Sequence, residues 1–166
     1  MPLNEVPNKL LARMSHPLKL RLYLLYKLPA AFFSGIKIIS CTSQQCITTV
    51  PYKWLTQNPF RSTYFASLAM AAEMSTGSLA LAGIYKKSPP VSMLITRMEA
   101  EYFKKATGLT YFTCDEGNTI LEAIQRAMTD IRGSEARVKS IGKNAAGELI
   151  AEFSFTWSFR VKNISS

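Results

Sequence analysis

The apolar positions of this chain fall into continuous and alternating runs, and the runs mark its elements. From Tyr64 to Ile84 nearly every side chain is apolar, small or a hydroxyl, with one acid, Glu73, in the middle. That pattern predicts a helix over 64–84, buried nearly all round. Ser62 or Thr63 is the expected N-cap. Near the C-terminus Leu149, Ala151, Phe153, Phe155, Trp157, Phe159 and Val161 alternate with Glu152, Ser154, Thr156, Ser158 and Arg160. This is the period of a strand with one buried face, and it belongs well inside a sheet. Residues 36–50 read as a β-hairpin turning at 42–45. In 91–104 the alternation puts Leu94, Thr96, Met98, Ala100 and Tyr102 on the buried face, with Arg97, Glu99 and Glu101 on the wetter one. A strand over 109–114, a helix over 119–131 and a hairpin of 136–141 with 148–161 complete the series.

Residues 3–28 carry leucines at helical spacing, interleaved with Lys9, Arg13, Lys19, Arg21 and Lys27, and Pro17 divides them into two helical pieces. A basic amphipathic helix of this kind lies on a membrane or packs on the domain with a solvated basic face, and the second reading is preferred. The element order predicts an α+β architecture, six antiparallel strands around one apolar helix. Residues 1–30 form a helical extension and 31–166 the main domain.

Composition narrows the function. The length of 166 residues suits one domain with a sizeable core. A formal charge of +9 favours an anionic partner: a phosphorylated small molecule, an acidic carrier protein, nucleic acid or a membrane surface. The basic residues are scattered, with only short clusters such as Lys86-Lys87 and Lys104-Lys105, so nucleic acid is not expected. Cys41, Cys46 and Cys114 form no CxxC pair and His16 is the lone histidine, which leaves no zinc site at a usual spacing. Sparse, odd cysteines fit a reducing cytosol, and the N-terminus lacks the pattern of a signal peptide. A cytoplasmic protein is expected. The 64–84 run is close to the roughly 20 residues a bilayer needs. Glu73 at its centre, with Ser75, Thr76, Ser78 and two glycines nearby, argues against stable membrane insertion.

Glu73 is the best chemical lead. A carboxylate in apolar surroundings is costly unless paired or neutralised. It is either a structural acid held by hydrogen bonds or a base whose pKa is raised by desolvation toward neutral pH.

Other residues extend the lead. Asn58 and Glu73 frame the segment Tyr64-Phe65-Ala66, and Tyr102-Phe103-Lys104-Lys105-Ala106-Thr107-Gly108 follows in the next strand. Together with the element order, these resemble the hotdog fold, in particular the acyl-CoA thioesterase group and a broad family of uncharacterised proteins related to it. The resemblance runs from about residue 36 to the C-terminus. Asn58 and Glu73 stand at the family's spacing for its Asn and its acid. Tyr64, Phe65 and Ala66 stand where the family has His-Gly-Gly, and Lys105 replaces a Pro in its Tyr-Leu-x-Pro-Ala-x-Gly.

The resemblance implies a hotdog domain hydrolysing acyl-CoA or acyl-carrier thioesters, with coenzyme A as part of the substrate and no separate cofactor. Glu73 is then the base or nucleophile and Asn58 orients water or substrate. The Phe65 N–H, at the helix start, faces the developing oxyanion, and Tyr64 takes the position of the family His. Thr76 is either a second polar group of the site or bonded back to the helix carbonyls. Arg61, Lys86, Lys87, Arg97, Lys104 and Lys105 are the candidates for the coenzyme A phosphates. The substitutions at 64–66 keep a second reading open, a non-catalytic module that binds an acyl chain or lipid. A dehydratase needs a His and acid pair, and His16 is far from Glu73 in sequence. A homodimer, or a tetramer built from it, is expected on geometric grounds as well. Phe65 and Glu73 lie roughly 12 Å apart along one helix, so one helix cannot bring both to the same carbonyl, whereas two antiparallel copies can.

Overall fold

Two prolines and a glycine set the N-terminal geometry of the computed structural model, which describes residues 16–162. The share of the N-terminal helical reading that falls on residues 3–15 lies outside the described residues. Pro17 opens helix α1 (Pro17–Lys27) and Pro29 opens α2 (Pro29–Ser34), each in the first turn, where a missing N–H costs nothing. Gly35, at φ +75°, ends α2 in the left-handed conformation that glycine adopts without strain. The chain continues through β1 (Lys37–Cys41), β2 (Cys46–Val50), a 3₁₀ turn (Trp54–Thr56) and the long helix α3 (Phe65–Ile84). Then follow β3 (Val91–Tyr102), β4 (Thr110–Cys114), α4 (Gly117–Thr129), β5 (Ser134–Asn144) and β6 (Leu149–Val161).

The six strands form one antiparallel sheet in the order β1-β2-β4-β5-β6-β3. It wraps α3, which touches every strand. This is the α+β arrangement that the hotdog resemblance implied, and β6 sits inside the sheet as its alternation required. Phe153, Phe155, Trp157 and Phe159 on β6 are all buried, and Phe153 stacks on Phe155 and meets Phe112 edge-on. By length and composition α3 is apolar enough to cross a membrane. Here it is the core helix, with Ala71, Ala72, Leu79, Ala80 and Ala82 almost wholly covered. Gly83 lets α4 come close: a Cβ there would lie 2.5 Å from Ile124 Cδ1.

Two sequence readings are corrected. Tyr64, not Ser62 or Thr63, is the N-cap of α3. The Ser62 hydroxyl is bonded to Asn58 Oδ1 and that of Thr63 to the Ala106 carbonyl, so neither is available to the helix. In β3 a bulge lies between Ile95 and Arg97. The extra residue reverses the alternation: Met93 and Ile95 stand opposite Phe159 and Trp157, and beyond the bulge Met98, Ala100 and Tyr102 stand opposite Phe155, Phe153 and Ala151. Leu94 therefore faces away from the helix and is 67% exposed.

Candidate active site

α3 carries four hydroxyl residues that its apolar neighbours would not need for burial alone. Ser75 and Thr76 bond back to the carbonyls of Ala72 (2.8 Å) and Glu73 (3.0 Å), and Thr48 of β2 donates to the carbonyl of Ala71 at 2.6 Å. Three consecutive helix carbonyls thus receive a second hydrogen bond. Ser75 Oγ also lies 2.7 Å from Ser140 Oγ on β5, and Trp157 Nε1 donates to Thr76 Oγ1 at 3.1 Å. These bonds tie the helix to β2, β5 and β6 and fix its rotation. The side chain presented to the opposite side is Glu73.

Glu73 lines a cavity of about 390 Å³ between α1 and α3. Its other walls are mostly apolar: Leu20, Tyr23, Leu24 and Leu28 from the α1 segment, Ile38, Met74, Leu81 and Met93 from the domain, with Lys19 and Ser78 as the polar exceptions. The Glu73 carboxylate has no hydrogen-bond or ion-pair partner among the described residues. Burial holds its carboxyl above the ordinary carboxylate range, with no neighbouring cation to offset the lost hydration. The carboxylate folds back over Gly77, where a Cβ would lie only 2.5 Å from Glu73 Oε1. This is not a satisfied structural acid. It is an unpaired acid at an apolar cavity of ligand size.

The remaining sequence candidates divide. Asn58, Tyr64, Phe65, Lys104 and Lys105 come together around a second cavity of about 470 Å³, between the start of α3 and the end of β3. Asn58 Oδ1 accepts the N–H groups of Phe60 (2.9 Å) and Ser62 (3.2 Å), closing the loop ahead of the helix. The Tyr64 and Phe65 rings meet edge-on with centroids 4.8 Å apart, and both are about half exposed. Tyr64 makes no side-chain cap, and its carbonyl accepts the Ser67 N–H at 2.9 Å, so the first two N–H groups of the helix, those of Phe65 and Ala66, keep their free donor character. One chain therefore holds the acid and the helix-start donors in separate cavities.

Thr76 faces neither cavity: it is fully buried, and its hydroxyl serves Glu73's carbonyl and Trp157. Its part is to position the helix. Arg61, Lys86, Lys87 and Arg97 line neither cavity. Arg97 pairs with Glu99 at 2.8 Å, Lys86 sits over the Tyr85 ring, and Lys104 meets Glu148 at 2.5 Å. Sequence reasoning missed the α1 wall of the first cavity. The signal was present, since Leu20, Leu24 and Leu28 recur every fourth residue. It also missed Gly77, whose lack of a side chain makes room for the carboxylate.

A family model described as a domain of unknown function (DUF4442) matches residues 21–159. No curated protein sequence matches the chain. Among solved structures, a Pseudomonas aeruginosa protein of unknown function, described as a probable thioesterase, superposes with a TM-score of 0.73 at 20% identity, over 90% of this chain and 99% of that one. A Chlorobaculum tepidum protein of unknown function superposes with a TM-score of 0.74 at 18% identity, over 94% and 100%. A Haemophilus influenzae thioesterase does so with a TM-score of 0.62 at 14% identity, over 87% and 92%. At these identities the likeness is one of fold, and the fold is the hotdog fold.

Proposed function

Because the chain belongs to the family described as a domain of unknown function (DUF4442), with a hotdog fold that thioesterases also use, we propose that it hydrolyses acyl-CoA or acyl-carrier thioesters. The observation that carries this reading is the unpartnered, desolvated Glu73 carboxylate in the wall of a mostly apolar cavity. The cavity suits an acyl chain, and the acid suits the proton transfer that hydrolysis requires. Water attacks the thioester carbonyl carbon while Glu73 takes its proton, a step made easier by a carboxyl titrating closer to neutral pH. The developing oxyanion is met by first-turn N–H groups of α3, Phe65 foremost, with the helix dipole behind them. Collapse of the tetrahedral intermediate expels the thiolate, which recovers the proton from Glu73.

Acid and donors occupy different cavities in one chain, and this supports a homodimer in which Glu73 of one copy works with Phe65 of the other. The free edge of β3, twelve residues long with Leu94 and Met98 exposed, supplies a surface for such pairing. Coenzyme A phosphates would meet Lys104 and Lys105 beside the second cavity, with Arg61 on the adjoining loop. The three free, unpaired cysteines support a cytoplasmic setting.

The test is Glu73→Gln, which keeps the shape of the side chain and cannot accept the proton. Release of free thiol from acyl-CoAs of increasing length should fall by about a hundredfold or more, with the thermal melt still cooperative. Equal turnover in the two proteins removes Glu73 as base. The Tyr64 and Phe65 rings over the helix start favour a second reading, a module that binds an acyl chain without cleaving it. Wild-type protein that binds acyl-CoA and turns over no thioester supports that one.

A further inference from the structure

The charge of the chain is unevenly placed. Residues 1–72 carry eight Lys and Arg against a single acid, Glu5, whereas residues 73–166 carry twelve against ten. Most of the +9 therefore belongs to the segment ahead of Glu73, which includes α1, α2 and the 3₁₀ turn. The same elements expose large apolar side chains. α1 turns Leu20 and Leu24 into the core. Its opposite side presents Leu18 (65% exposed), Leu22 (61%), Leu25 (45%) and Tyr26 (81%), at the i, i+4, i+7, i+8 spacing of one helix face. α1 packs on α2 and α2 on the 3₁₀ turn, and these add Phe33, Leu55 and Trp54, the last 80% exposed. Arg21 lies over the Phe32 ring of α2, Lys27 over the Tyr26 ring, and Lys53 caps the 3₁₀ turn, while no described residue before Glu73 is acidic.

A Leu stripe with Tyr and Trp beside it, framed by cations and free of carboxylates, matches a lipid headgroup layer: apolar side chains enter the acyl boundary and the cations meet anionic headgroups. We propose that this face, α1 with α2 and the 3₁₀ turn, docks on the surface of an anionic phospholipid bilayer. The docking is peripheral, since the only long apolar helix among the described residues is the core helix α3. α1 is at once the docked element and one wall of the Glu73 cavity, so an acyl chain at the bilayer surface lies one helix thickness from that cavity. The docking itself does not depend on what Glu73 does.

The experiment is flotation of the full-length protein with vesicles of phosphatidylcholine alone and of equal parts phosphatidylcholine and phosphatidylglycerol. Three cations at roughly fivefold each should raise partition onto the anionic vesicles at least tenfold over neutral ones, and high salt should release the protein. The double variant L22D/L25D changes only exposed positions. It should keep the wild-type melt and partition at least tenfold less. Lys27→Glu should also weaken binding, to anionic vesicles only. A wild-type protein that floats with neither vesicle overturns the proposal. So does an L22D/L25D protein that binds vesicles like wild type while light scattering shows it has lost an assembly state, which would make this face a contact between copies of the chain.

Discussion

Gly77→Ala is the most revealing single substitution in the cavity, because it adds one methyl group at the place where the Glu73 carboxylate rests. The new Cβ would stand 2.5 Å from Glu73 Oε1 and 3.3 Å from Trp157 Cζ2. Comfortable contact begins near 3.5 Å, so the carboxylate must retreat by about 1 Å. The carboxylate is the end of a flexible side chain and has the cavity to move into, so the fold should tolerate the change. Replacing a helical glycine by alanine adds about 1 kcal/mol of helix propensity, less whatever easing the Trp157 ring costs. For a domain of this size the expected shift is roughly 0 to +4 °C in Tm. Catalysis should respond differently, since a displacement of about 1 Å is enough to lose a hundredfold, or about 2.7 kcal/mol of transition-state stabilisation. The assay is kcat/KM on an acyl-CoA alongside thermal melts of wild type, G77A, E73Q and the double variant. In the double variant G77A should cost nothing beyond E73Q, because the group it displaces has already been disabled. Turnover within about threefold of wild type in a well-folded G77A refutes the claim that this carboxylate position is the working one.

Two further outcomes follow from the same geometry. Burial raises the Glu73 carboxyl, so the folded protein keeps a proton that the unfolded chain releases. The stability this contributes is complete below the ordinary carboxylate range and is lost as pH rises through the raised folded value. Glu73→Gln escapes that loss, so its Tm should match wild type near about pH 4 and exceed it at pH 8; equal curves across the range would mean that Glu73 is not strained by burial. Phe65→Pro tests the oxyanion donor: proline is accepted at the first helical position, and Tyr64 already has the extended ψ of 136° that a residue before proline needs. F65P should fold and lose activity, and a mixture with E73Q should recover about a quarter of the wild-type rate through mixed dimers; no recovery after subunit exchange rules out the shared site.

Much of this architecture is legible in the chain because burial leaves a periodic trace. β6 reads directly, since every second residue from Ala151 to Phe159 is buried while Leu149 at its start is exposed, and α3 reads as a core helix because it lacks a polar face. What periodicity does not record is a change of phase. The bulge at Ile95–Arg97 moved Leu94 to the solvent side without altering composition, and nothing in the alternation announces an inserted residue. Hydroxyls are ambiguous for another reason. Thr76 is the same residue type whether it faces a substrate or bonds to a helix carbonyl, and its partner, Trp157, lies 81 positions away. Glu73 was legible because a lone carboxylate in an apolar run is expensive. Its distance from Asn58 in space was not, because spacing along a helix does not say which cavity each end opens on.

The Glu73 cavity has two walls of unequal tolerance, and this bears on how the protein can diverge. The α3 wall is keyed to three strands by buried hydroxyls, so a change there disturbs several bonds at once. The α1 wall is a peripheral helix held in the core mainly by Leu20 and Leu24. Drift in α1 can reshape the cavity while the acid and the sheet stay put. Relatives that share the domain and differ in what they accommodate should therefore differ first in this helix. A comparison of natural variants would find the lineage's record of ligand change there, and the record of fold maintenance along Thr48, Ser75, Thr76 and Trp157.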